Sequence, residues 1–92
     1  MILEKTIIIK NKQGLHARPA ALFVQIANKF TSEITIVKGR QKINGKSIMG
    51  IMMLAAGAGS KVTLIADGVD AEAAVAELEK LLRSDDIDEF VM

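Results

Sequence analysis

The chain has 92 residues, half of them apolar and a quarter charged, with no Cys, Trp or Tyr; that suffices for one small domain and excludes disulfides, thiolate nucleophiles and cysteine metal sites together. Its net charge of +1 conceals a division, because residues 1–61 hold ten Lys/Arg against two acids and residues 62–92 hold two against nine. No apolar run approaches the ~20 residues of a membrane span, and Met1-Ile2-Leu3-Glu4-Lys5 turns charged too early for a signal peptide, so a cytoplasmic protein without membrane insertion is expected.

Thr6-Ile7-Ile8-Ile9 is short and β-branched and predicts a strand over about residues 4–10. Asn11 to Gly14 is a polar break. Apolar residues then fall at Ala20, Phe23, Val24, Ala27 and Phe30, a helical stripe, and Pro19 belongs in a first turn. The helix is therefore expected from Ala17 to about Lys29. Ile34-Thr35-Ile36 alternates, and a turn after Val37-Lys38-Gly39 would pair it with a short strand ending at Ile43. Ser47 is placed to cap a helix running from Ile48 to Ala55, which Gly57 and Gly59 end. Residues 60–66 alternate as a strand. Asp70 is expected to cap a last helix whose apolar face is Ala71, Ala74, Val75, Leu78, Leu81 and Leu82. From Ser84 the chain becomes acidic, and a mobile tail is expected. The order β-α-β-β-α-β-α, with one apolar stripe per helix, suits an α+β sandwich: an antiparallel sheet with helices on a single face. The expected domain is 1–84, with 85–92 as an acidic tail.

His16 is the single histidine, so a metal site would need one imidazole plus carboxylates, and none is expected. Four serines leave a Ser–His–Asp arrangement open by count, but so thin a domain has little volume for a substrate pocket. At the predicted helix start, unpaired N–H groups and the positive end of the helix dipole would disfavour imidazolium and favour both a neutral ring and any anion attached to it. The backbone N–H groups of Ala17 and Arg18 are the candidate anion donors, and the Arg18 guanidinium offers a fork for phosphoryl oxygens. A surface histidine with an incidental arginine is the competing reading. Gly39 to Ser47 nearly spells the phosphate loop of nucleotide hydrolases, but five residues separate its glycines where four are required. Met49, Met52 and Met53, with Ile48 and Ile51, are more than one face of a short helix can bury, which leaves an adaptable apolar surplus for docking.

Gly14-Leu15-His16-Ala17-Arg18-Pro19-Ala20, together with Gly45-Lys46-Ser47-Ile48-Met49-Gly50, resembles the HPr family, the histidine-containing phosphocarriers of the bacterial phosphotransferase system. The resemblance spans nearly the whole chain. It implies an open-faced sandwich of four antiparallel strands under three helices, and a carrier rather than an enzyme, without a cofactor. It further implies that His16 takes a phosphoryl group on Nδ1 from phosphorylated enzyme I and delivers it to enzyme IIA components, with Arg18 as phosphate partner. Ser47 matches the family's regulatory serine, the target of an HPr kinase/phosphorylase. Ile48, Met49, Met52 and Ala20 are the expected docking residues, and a monomer is the expected state. The acidic tail is longer than in many members, and the Gly-Lys-Ser-Ile-Met-Gly-Ile-Met-Met run also resembles nitrogen-related branches. Two other classes stand beside this reading. One is a regulatory module acting through phosphorylation-dependent docking. The other is a nucleic-acid module using the basic half; scarce aromatics argue against stacking on bases, and no nucleic acid is expected.

Overall fold

The alternation read along the strands becomes, in three dimensions, a sheet with one covered and one open face. The computed structural model describes residues 1–12, 14, 15 and 17–84. Its elements are β1 (Ile2–Ile8), α1 (Ala17–Ala27), β2 (Glu33–Lys38), β3 (Gln41–Asn44), α2 (Ile48–Met53), β4 (Lys61–Asp67) and α3 (Ala71–Arg83). The four strands form one antiparallel sheet in the order β1-β4-β2-β3. Period-two alternation sends Ile7, Ile34, Ile36, Val62, Leu64 and Ala66 to the helix-covered face, where all are buried. Thr6 and Thr63, opposite each other in the register, share a 3.0 Å hydroxyl hydrogen bond on the open face. The helices close the core with Phe23 and Ala27 from α1, Ile51 from α2, and Ala74, Leu78, Leu81 and Leu82 from α3. This is the α+β open-faced sandwich that the sequence predicts.

The differences lie at element ends and in one cap. β1 begins two residues earlier than expected and ends at Ile8, although Ile9 still donates to the Ser60 carbonyl at 2.9 Å. α1 stops at Ala27, because Lys29 and Phe30 donate to Ile26 and Ala27 in tighter three-residue turns. α2 stops at Met53, and Ala55 takes a left-handed conformation at φ 53° that no right-handed helix accommodates. Asp70 occupies the position before α3, yet its carboxylate does not cap that helix. It accepts instead from the Thr31 N–H at 2.8 Å, the Ser32 N–H at 2.9 Å, the Thr31 hydroxyl at 3.3 Å and the Ser32 hydroxyl. Ser32 is buried, so its N–H and hydroxyl need an acceptor within the fold, and the Asp70 carboxylate supplies it. The Ser32 hydroxyl, with the Thr31 and Ser32 N–H groups, holds the Asp70 carboxyl down at about 2. Lys5, 2.7 Å from Glu79, and Arg83 on the next turn of α3 lower the Glu79 carboxyl in the same sense. The expected acidic tail, 85–92, lies outside the described residues.

Candidate functional site

The segment leading to α1 is fastened from both sides. Gly14 adopts φ 64°, a conformation glycine takes without penalty, and its N–H donates to the Asn11 carbonyl at 3.0 Å. A Cβ at this position would come 2.6 Å from the Ala56 carbonyl oxygen and 2.7 Å from the Gly57 Cα. Leu15 follows with its side chain buried and its N–H donating to the Ala56 carbonyl at 2.7 Å. His16 lies outside the described residues; its chain neighbours on both sides, Leu15 and Ala17, lie within them.

The helix begins at Ala17, with Pro19 in its first turn as predicted, where a missing N–H costs nothing. That turn contains no acidic residue, so the N–H groups of Ala17 and Arg18 at the helix start meet no competing carboxylate from their own helix. Arg18 is exposed. Ala20, expected among the docking residues, is fully buried on the core-facing stripe of α1 and presents no surface to a partner. That expectation is corrected: its place in the helical period puts it on the stripe that α1 buries in the core.

Ser47 caps α2 as the sequence predicts. Its backbone is extended at φ −107° and its Oγ accepts from the Gly50 N–H at 3.1 Å. α2 lies tight on β3, since a Cβ on Gly50 would meet the Ile43 side chain at 2.6 Å, and it packs beside α1. Ile51 points inward. The outer side is apolar: Ile48 is 42% exposed, Met49 72%, Met52 45% and Met53 70%. Met53 belongs to the apolar surplus read from the sequence but not to the docking residues that the resemblance implies; its four-residue spacing from Met49 places both on one side of the helix.

The hydrolase-like run from Gly39 to Ser47 contains β3 and pairs with β2, so it forms no phosphate-cradling loop. A surface groove of about 490 Å³ is lined by Glu33, Ile34, Thr35, Lys42, Ile43, Asn44 and Lys46, and includes no residue from 14 to 18 or from α2. Among the described residues no three His, Cys, Asp or Glu side chains cluster as metal ligands, and no helix is long and apolar enough to cross a membrane.

Comparison with known proteins places the chain among relatives of one family. Residues 3–84 match the family model described as the PTS HPr component phosphorylation site. The HPr-like protein Crh of Halalkalibacterium halodurans is 57% identical over 83 residues, covering 86% of this chain and 99% of the relative. The crystal structure of a phosphocarrier protein HPr from Bacillus anthracis is 48% identical, covers 88% of this chain and 96% of its own, and superposes with a TM-score of 0.86. An HPr dimer from Thermoanaerobacter tengcongensis is 51% identical, covers 94% of each chain and superposes with a TM-score of 0.72.

Proposed function

The chain belongs to the HPr family of phosphocarrier proteins, and on that premise we propose that His16 accepts a phosphoryl group from phosphorylated enzyme I and passes it to enzyme IIA components of a phosphotransferase system. The N–P bond of the donor phosphohistidine breaks as one forms at the Nδ1 of His16, and the later transfer runs the same exchange onward. Both sides are phosphoramidates, so the steps stay near equilibrium and suit a carrier with weak, fast docking. The observation that carries this reading is the pinned Gly14–Leu15 segment running into the first turn of α1. The N–H groups of Ala17 and Arg18 and the Arg18 guanidinium are the groups assigned to the phosphoryl oxygens. Incubation with enzyme I and phosphoenolpyruvate should add one phosphate that is labile in acid and stable in base. His16→Ala should abolish the label while the circular dichroism spectrum is kept; a label retained in that variant refutes the assignment.

The same reading takes residues 1–84 as the phosphocarrier domain with 85–92 appended, acting in the cytoplasm as a monomer; light scattering decides the last point, since several solved relatives are dimers. A second, regulatory reading is favoured by Ser47. Its hydroxyl caps α2 beside the exposed Ile48, Met49 and Met52, where a phosphate set by an HPr kinase/phosphorylase would change what docks. On this reading the chain is a regulatory module, of a nitrogen-related branch, acting through phosphorylation-dependent docking. Enzyme I labelling separates the two.

A further inference from the structure

We infer that Lys38 is a positioning residue for the phosphorylation loop, acting through the turn at Ala55 to Gly57. Ala55 is a non-glycine residue held at φ 53°, and an L-residue stays in that region only where its surroundings hold it. Two successive carbonyls of this turn reach different parts of the fold. The Ala55 carbonyl accepts from the Lys38 Nζ at 3.1 Å, at the end of β2. The Ala56 carbonyl accepts from the Leu15 N–H at 2.7 Å. Gly14, pressed against Ala56 and Gly57 with no room for a Cβ, completes the contact.

The consequence follows from backbone geometry. If Ala55 relaxed into an ordinary conformation, the peptide units around it would rotate, and the Ala56 carbonyl would leave Leu15. Leu15 is bonded directly to His16, so freedom at Leu15 is freedom at the start of the next residue. Lys38 opposes that relaxation by holding the Ala55 carbonyl from outside the loop. It lies on neither α1 nor α2, and nothing in its own sequence surroundings marks it. The kinetic part of the inference rests on the phosphocarrier reading; the structural part does not.

The test uses the full chain and three substitutions, read by hydrogen exchange at the Leu15 amide and by the rate of phosphorylation from enzyme I. Lys38→Met should raise Leu15 exchange by about five- to tenfold, the scale of one lost hydrogen bond, and slow phosphorylation by a similar factor with little change in melting temperature. Lys38→Arg keeps a donor and should restore both. Ala55→Gly added to Lys38→Met should also restore both, because glycine occupies the left-handed region without being held. Unchanged Leu15 exchange in Lys38→Met overturns the inference. Faster exchange at an unchanged rate overturns it too, leaving Lys38 a merely structural tie. A wild-type chain that takes no phosphate refutes the carrier reading instead, while the exchange measurement still judges the hold of Lys38 on the Ala55 turn.

Discussion

Replacing Gly14 by Ala brings in two costs at once, and Gly39 provides the means to separate them. Both glycines have positive φ, 64° and 59°, so Ala pays about 1–2 kcal/mol of backbone strain at either site. Gly39 has nothing within 4 Å of a would-be Cβ, and its cost should end there. At Gly14 the Cβ would meet the Ala56 carbonyl oxygen, the Gly57 Cα and the Gly57 carbonyl carbon at 2.6, 2.7 and 3.1 Å. All three are backbone atoms and cannot rotate away, so an overpacking cost of about 1–3 kcal/mol is added. In a domain of this size that difference lowers the melting temperature of Gly14→Ala by roughly 5–20 °C relative to Gly39→Ala. Urea titrations of both variants, with the slope checked for constancy, measure the difference directly. If the two variants agree within about 0.5 kcal/mol, the scatter of ordinary surface substitutions, the close packing of Gly14 on Ala56 is not a real constraint.

Ser47→Ala should lose about 1 kcal/mol with the cap and still accept phosphate on His16. Ser47→Asp should hold its thermal stability yet dock enzyme I more weakly, with a deficit that shrinks in high salt as charge is screened; transfer at the wild-type rate in low salt would return Ser47 to a cap alone. Arg18→Ala should slow transfer with a stability change within about 0.5 kcal/mol, and Arg18→Lys should recover only part of the rate because lysine lacks the planar fork. The Asp70 carboxyl, near 2 in the fold against about 3.9 unfolded, adds stability that is full above pH 4 or so and lost as the pH falls toward 2. Asp70→Asn should remove that portion of the acid dependence, and identical acid unfolding curves for both proteins would contradict the role given to Thr31 and Ser32.

What the sequence by itself determined was local. The helical period of α1 and α3, the alternation of the strands and the β2–β3 hairpin are encoded in spacings of two to four residues. The Ser47 cap needs only a partner three residues on, at Gly50. The motif from Gly14 to Ala20 was legible for the same reason, since its glycine, its proline and its helix start are neighbours in the chain. Tertiary structure decided the contacts that join distant residues. Asp70 in front of a helix reads as a cap, but the buried donors of Ser32, 38 residues away, compete for it and win. Ala20 lies on the apolar stripe of α1 by its spacing and among the docking residues by resemblance, and only the packed core, which buries it fully, decides between the two. Nothing local predicts the left-handed Ala55, or that the Ala56 carbonyl meets the Leu15 N–H. Local spacing reports what a segment does alone; which donor finds which acceptor across the fold is settled only when the β1–β4 and β2–β4 registers bring those segments together.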